Sequence, residues 1–511
     1  MIRVICSQET FVYNAYHMVK AFYPSETVMS SVDEKASNYV TVEFAIDSDP
    51  AGNADKDELT GVLWQISVGT GDYDCENRQS EKENSEIEHL EKAALKKWID
   101  RTLYKKLEEK SGRNLAWGIL MGVRPTKIAM KKLEEGMTEE TFVPWFQKEN
   151  LVSEEKAHLA WQIAGREKRL LDQLDYENGY SLYVGIPFCP TVCSYCSFSS
   201  GALSDWEYRV EDYLTALMKE LEAIAEMSEG RKADTIYMGG GTPTTLNEDQ
   251  LDRLLTCIDR HFVREGLLEF TVEAGRPDSI TREKLQVLRN HGISRISINP
   301  QSMQQKTLDI IGRRHTVEQV YEAFHMAREL GFDNINMDII AGLPGETPAD
   351  MEDTLRQIAS LGPDNLTVHS LAIKRAAKMG QEEREGRRVT IAPDEIGTMV
   401  EMARNAACKM GLFPYYLYRQ KNIAGNFENV GYAKVDKAGI YNILIMEEKQ
   451  SIIAAGAGAS TKIVLKEPIP MPGSKKKKMT RLIRQEKVKA IDAYISRVDE
   501  MIERKGEWLW R

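Results

Sequence analysis

Between residues 180 and 371, six short apolar runs alternate with longer amphipathic stretches, and this alternation constrains the fold more than any other feature of the chain. The runs are 181–187 (SLYVGIP), 234–239 (DTIYMG), 268–273 (LEFTVE), 294–298 (SRISI), 334–340 (NINMDII) and 365–371 (NLTVHSL). They read as strands. The stretches between them, 206–228, 247–260, 281–290, 317–330 and 350–361, carry apolar residues at helical spacing. Successive β–α steps place strands side by side with their crossovers on one hand, so the expectation is an α/β fold with a parallel sheet, either a barrel or doubly wound.

At 511 residues the chain is long enough for two or three domains. Residues 1–170 read as a separate α+β region. Val40, Val42, Phe44 and Ile46 alternate as in a half-buried strand, 62–68 reads as a second strand, and 47–58 as an acidic surface loop. Ile87, Leu90, Ala94 and Trp98 predict an amphipathic helix over 86–110. Arg124-Pro125-Thr126-Lys127 reads as a helix start, with an anion-binding loop as the alternative. Residues 171–380 hold the β–α repeats. Residues 381–511 read as a mixed region: a helix near 394–410, an aromatic FPYYLY (413–418), a strand-like YNILIM (441–446), a glycine-rich AAGAGAS (454–460), a solvated Lys475–Lys478 run and a charged helix over 485–505.

The net charge of −11 gives no general help in binding nucleic acid, so no nucleic-acid partner is expected. The opening MIRVICSQET lacks a cationic segment followed by an apolar run, and Ile452–Ala459 is too short to cross a bilayer. The expectation is a cytoplasmic protein without a membrane partner. Three of the seven cysteines cluster tightly, which favours metal ligation over a disulfide framework.

That cluster is GIPFCPTVCSYCSF (185–198), with the spacing Cys189-x3-Cys193-x2-Cys196 directly after the first strand. Three thiolates in eight residues suit one face of an iron–sulfur cube and leave its fourth iron open to a small chelating molecule. Zinc is the rival, but structural zinc wants a second ligand pair, and Cys6, Cys75, Cys257 and Cys408 are isolated in the sequence. One β–α unit later, MGGGTPT (238–244) offers backbone N–H groups and close approach to a ligand. Glu273 ends the third strand, Gln301 follows the fourth in SINPQS, Asp338 lies in the fifth and Ala372 follows the sixth. In a β/α barrel, functional residues gather at those C-terminal ends. Singly, Asp338 could be a capping carboxylate and Gln301 a turn residue. Arg313 and Arg314, in GRRH, could hold a carboxylate or stand solvated.

YVGIPFCPTVCSYCSF, MGGGTPT, SINPQS, GRRHT and NMDIIAGLPGET, in this order, resemble the oxygen-independent coproporphyrinogen III oxidase group of radical S-adenosylmethionine proteins, closely over 180–375 and more loosely to about 465. The long N-terminal extension, FPYYLYRQKN (413–422) and AAGAGAST are similar to the HemZ branch. The resemblance implies an incomplete (β/α)6 barrel with a [4Fe–4S] cluster on Cys189, Cys193 and Cys196, and one or two S-adenosylmethionine molecules. It implies that Tyr183 and Tyr195 lie against the cluster or the cofactor, with Tyr183 the catalytic candidate. It places Gly240, Gly241 and Thr242 on the methionine part, Glu273, Gln301, Arg313 and Asp338 on the carboxylate and ribose, and Ala372 on the adenine. The implied activity is oxidative decarboxylation of two propionates of coproporphyrinogen III to give protoporphyrinogen IX in haem biosynthesis, under anaerobic conditions and with a flavodoxin- or ferredoxin-type electron donor. Arg314, Lys374 and Arg375 are candidate partners for the substrate carboxylates.

Two departures stand out. The oxidases carry a fourth cysteine two residues past the third, where this chain has Phe198. A sister branch that also lacks it acts as a haem chaperone and shows a His-Asn-x-x-Tyr-Trp segment. Its counterpart here is ENVGYA (428–433), with Glu428 for the His and Ala433 for the Trp. A carboxylate is a poorer haem-iron ligand than imidazole. The alternatives to the oxidase are therefore a haem-trafficking protein and a radical enzyme acting on another substrate, such as a different tetrapyrrole or tRNA.

Overall fold

The structure, a computed structural model, describes residues 1–46, 61–69, 90–122, 124–198, 200–373, 377–384, 393–419, 426–472 and 479–510. The expected loop 47–58, Lys374, Arg375 and the Lys475–Lys478 run lie outside these residues. The chain forms two compact units, one of 1–162 with 392–397 and 419–428, the other of 163–391 with 398–418 and 429–511.

In the first unit, strands β1 (Ile2–Cys6), β2 (Val28–Val32), β3 (Val40–Ile46) and β4 (Gly61–Val68) form a sheet in the order β2-β1-β3-β4. The strand read at Val40–Phe44 forms, but it is buried on both faces rather than half-buried: Thr41 and Ala45 are buried along with Val40, Val42 and Phe44, because β3 lies between two other strands of the sheet. The core there includes Phe11, Met18 and Phe22 of helix Glu9–Phe22 and Leu103 and Tyr104 of helix Lys92–Ser111. Pro125 sits at the start of helix Thr126–Glu134, where its missing N–H costs nothing.

The second unit is built on strands β5 (Gly179–Ile186), β8 (Lys232–Gly240), β9 (Glu269–Glu273), β10 (Arg295–Ser297), β11 (Ile335–Ala341) and β12 (Asn365–Ser370). Two-residue strands β6 (Phe188–Cys189) and β7 (Gly201–Ala202) pair with each other. The six longer strands lie parallel and in chain order, each paired with the next. Helices Val210–Met227, Glu248–Phe262, Arg282–Asn290, Val317–Glu329 and Pro348–Leu361 occupy the predicted intervals. Capping boxes at Asn247/Gln250, Thr316/Gln319 and Thr347/Asp350 fix three of their starts by satisfying the free first-turn N–H groups.

Strands β13 (Phe413–Tyr418), β14 (Asn429–Ala433), β15 (Ser451–Ala455), β16 (Ser460–Pro470) and β17 (Met479–Glu486) join the same sheet, in the order β13-β14-β12-β11-β10-β9-β8-β5-β15-β16-β17. β14 pairs antiparallel on β12 and β15 parallel on β5. Both edges of the six-strand wall are thus taken by C-terminal strands, and its hydrogen bonding describes an open sheet.

Two expectations are corrected. YNILIM is not a strand but helix Ile440–Glu447. A continuous apolar run has no period to separate strand from buried helix, and Glu448, left-handed at φ 53°, closes this one by donating its N–H to the Leu444 carbonyl at 3.1 Å. The expected single helix over 485–505 is instead the end of β17, then helices Ile491–Ser496 and Val498–Gly506, because Gln485 and Glu486 are drawn into pairing with Thr461 and Ser460.

Candidate functional site

The cysteine loop leaves β5 and is fastened on several sides. The N–H of Gly241 donates to the Ile186 carbonyl at 2.7 Å and that of Thr242 to Phe188 at 2.7 Å. A Cβ on Gly241 would lie 2.5 Å from the Phe188 oxygen, so only glycine lets the two loops close. Gly240 takes φ +108°, a conformation that also favours glycine. From the other side, the Ser194 N–H donates to Ile311 at 3.0 Å and the Met379 N–H to Ser194 at 2.9 Å.

Cys189, Cys193 and Cys196 are free thiols, and burial pushes those of Cys189 and Cys196 up. The Thr242 hydroxyl donates to the Cys189 sulfur at 3.6 Å, and Arg276 Nη1 approaches the Cys193 sulfur at 4.0 Å. Three thiolates on one short loop, with the Thr242 hydroxyl and Arg276 beside them, suit a cluster that takes three cysteine ligands.

Next to the loop, the strand ends bring the expected polar residues together. The Tyr237 hydroxyl donates to Glu273, whose carboxyl is pushed up to about 7, by burial first and then by the Asp338 charge, against hydrogen bonds from Tyr237 and the Gly240 N–H. Burial opposes the charge on Asp338 as well, but His369, with Asn336 and Thr367, holds its carboxyl below the usual range. Asn336 Nδ2 donates to Asp338 at 2.7 Å, and His369 Nε2 stands 3.7 Å from the other oxygen. Gln301 is held left-handed at φ 66°, its N–H on the Asp338 carbonyl at 2.9 Å and its own carbonyl accepting from Ile340 at 2.9 Å. Arg313, buried, donates to the Asn299 carbonyl at 2.6 Å. Burial works against its charge, while Tyr195 and Cys193 beside it raise its pKa.

Several buried polar atoms here have no partner: Gln301 Oε1, Asn299 Oδ1 and Arg313 Nε. Unpaired buried polar groups are costly, so such a group of them beside a cysteine loop suits a polar ligand such as S-adenosylmethionine. Tyr183, Tyr237 and Tyr441 stack, with centroids 6.2 Å apart for the first pair and 4.5 Å for the second. Burial pushes the Tyr183 hydroxyl up, keeping it a donor.

Ala372 is half-buried, two residues past β12. Arg314 is exposed, and Phe198 is 71% exposed. Sequence reasoning missed Tyr237, Asn299, His369, Tyr441 and Arg276. Tyr237 and His369 lie in strands already recognised, but only the side-chain contacts single them out. Glu428, in the first unit, is 1% exposed, 2.7 Å from Lys156 Nζ and 2.7 Å from the Trp117 indole nitrogen.

Residues 183–358 match the model of the radical SAM superfamily. The solved coproporphyrinogen III oxidase (HemN) of Escherichia coli, described as a radical SAM enzyme, shares the fold at a TM-score of 0.51 with 22% identity, covering 66% of this chain and 73% of that one. The fold and the cysteine loop define a radical SAM protein, whose cofactors are a [4Fe–4S] cluster and S-adenosylmethionine. The chain is 44% identical over 362 residues to the oxygen-independent coproporphyrinogen-III oxidase-like protein HemZ of Bacillus subtilis (strain 168), covering 70% of this chain and 72% of that one. It is 34% identical over 245 residues to the heme chaperone HemW of the same organism, covering 48% of this chain and 63% of that one. The chain belongs to the oxygen-independent coproporphyrinogen III oxidase-like family, in its HemZ branch. No helix among the described residues is long and apolar enough to cross a membrane.

Proposed function

We propose that this protein decarboxylates two propionates of coproporphyrinogen III oxidatively, without oxygen, to give protoporphyrinogen IX. In this reading residues 171–380 are the catalytic region, their six parallel strands form the wall of an incomplete barrel, and residues 381–511 extend its sheet. Residues 1–170 form a separate region. Cys189, Cys193 and Cys196 hold the cluster. S-adenosylmethionine is held by Tyr183, Tyr195, Gly240, Gly241, Thr242, Glu273, Gln301, Arg313, Asp338 and Ala372. The unpartnered buried atoms on Gln301, Asn299 and Arg313 beside the cysteine loop support the cofactor site, and the 44% identity to the coproporphyrinogen-III oxidase-like protein HemZ supports the activity.

When bound, the two cofactors supply a hydrogen-abstracting radical by one-electron reductive cleavage. The chain's own residues bind and orient. Arg313, kept charged, suits a carboxylate. Asp338, kept ionised, suits a pair of hydroxyls. Gly241 lets the backbone approach closely. The stacked Tyr183, Tyr237 and Tyr441 exclude water. A low-potential donor of the flavodoxin or ferredoxin type supplies the electron for cleavage, and a one-electron acceptor takes up the electron released as each propionate loses carbon dioxide.

The 34% identity to HemW favours a second reading, haem trafficking. The engagement of Glu428 with Lys156 and Trp117 speaks against a haem ligand at that position. The test is anaerobic reconstitution with S-adenosylmethionine, reductant and coproporphyrinogen III, followed by mass spectrometry. Appearance of 5′-deoxyadenosine with stepwise loss of two carbon dioxides supports the oxidase. 5′-Deoxyadenosine with untouched porphyrinogen ends the substrate assignment and leaves the radical machinery intact. A stoichiometric haem Soret band would then favour trafficking over another substrate.

A further inference from the structure

Arg276 follows β9 by three residues and is 2% exposed. It is also built into its place. Its carbonyl accepts from the Ser279 hydroxyl at 2.7 Å, and Ser279 in turn meets the Thr244 hydroxyl at 2.7 Å. Its guanidinium forks onto the Asp278 carboxylate, Nε at 3.0 Å and Nη2 at 2.7 Å. The remaining nitrogen, Nη1, turns to the cysteine loop: it donates to the Thr191 carbonyl at 3.0 Å and the Thr191 hydroxyl at 3.1 Å, and stands 4.0 Å from the Cys193 sulfur. Thr191 is tied from behind, its hydroxyl donating to the Gly312 carbonyl at 3.1 Å.

A surface arginine would be solvated and free to rotate. This one is buried, and three of its nitrogens are engaged, two by Asp278 and one by the loop that carries the cysteines. N–H groups and positive charge directed at a cluster thiolate stabilise the reduced, more negative state and so raise the reduction potential. Asp278 partly offsets the charge, being 18% exposed against 3% for the Arg276 side chain. The pair therefore forms a set point, with Arg276 pulling the potential up and Asp278 pulling it down.

We propose that Arg276 is a positioning residue that fixes the loop between Cys189 and Cys193 through Thr191 and, with Asp278, sets the reduction potential of the cluster on Cys193. This rests on the cysteine assignment given under the proposed function.

The test is an EPR-monitored redox titration of the reconstituted full-length protein, for wild type, Arg276→Met and Asp278→Asn. Arg276→Met removes the N–H donors and should move the midpoint to more negative potential. Asp278→Asn keeps the shape, leaves the guanidinium charge unbalanced and should move the midpoint to more positive potential. Opposite shifts support the proposal. Unchanged midpoints, or shifts in one direction for both variants, overturn it. If Arg276→Met holds no cluster, Asp278→Asn decides alone: a positive shift supports the proposal, and no shift or a negative one overturns it. Absence of any cluster signal in the wild type would instead sink the cysteine assignment.

Discussion

The Tyr237 hydroxyl donates to the carboxylate of Glu273, joining the interior of β8 to the last residue of β9. The same carboxylate accepts from the Gly240 N–H in the glycine loop and feels the charge of Asp338 in β11. It is the point at which β8, β9 and β11 meet electrostatically.

Burial pushes Glu273 from 4.5 to about 7, so the folded apoprotein keeps a proton there that the unfolded chain has already lost. Stability should therefore fall as pH rises from about 4.5 to about 7, by at most about 3 kcal/mol. Glu273→Gln should flatten that slope. Thermal denaturation of the apoprotein across the window checks it, and an unchanged slope in the variant would refute the assignment.

Cys189→Ala, Cys193→Ala or Cys196→Ala should each lose the cluster after anaerobic reconstitution, measured as iron content and absorbance near 400 nm. Cys6→Ala, Cys257→Ala and Cys408→Ala should retain it. Loss of the cluster in any of the second set would overturn the assignment of ligands.

Glu428 lies in the first unit with Lys156 and Trp117. Glu428→Ala leaves a buried Lys156 without Glu428 and should cost about 3–5 kcal/mol in denaturant titrations. Added haem should show no spectral change that depends on Glu428. A one-to-one haem spectrum abolished by Glu428→Gln would reverse this reading.

Near β15, fully buried Glu220 of helix Val210–Met227 meets Lys487, Lys505 Nζ at 3.1 Å, the Tyr494 hydroxyl at 2.6 Å and the Gly456 N–H at 3.1 Å. Burial opposes its charge, but Lys487 and Lys505 prevail and hold the carboxyl down to about 2. The stabilisation is complete above the unfolded value of about 4.5 and is lost as pH falls from there towards 2. Glu220→Gln should remove this acid-sensitive component and cost about 3–5 kcal/mol at neutral pH. A variant as stable as wild type would show that the two lysines need no counter-charge.

Much of the site was written locally. Cys189, Cys193 and Cys196 are neighbours in the chain, so their spacing alone limits the metals they can share. The six strands and the helices between them were legible because period and capping act over a few residues: Asn247 with Gln250, Thr316 with Gln319. Gly241 could be singled out as one of three glycines after a strand, though not the Phe188 oxygen that requires it.

What the sequence by itself determined, then, is the β–α order, the cysteine loop and the places of Glu273 at the end of one strand, Gln301 past the next and Asp338 within the one after. Tertiary structure decided what those residues meet: Tyr237 on Glu273, His369 on Asp338, Arg276 on Cys193, and Glu428 turned to Lys156 and Trp117. It also decided that YNILIM is a helix and that the C-terminal strands take both edges of the parallel wall. The physical reason is one of range. Propensity, period and capping depend on residues within a turn or two along the chain, whereas burial and desolvation depend on partners tens to hundreds of residues away, brought together only when the sheet forms.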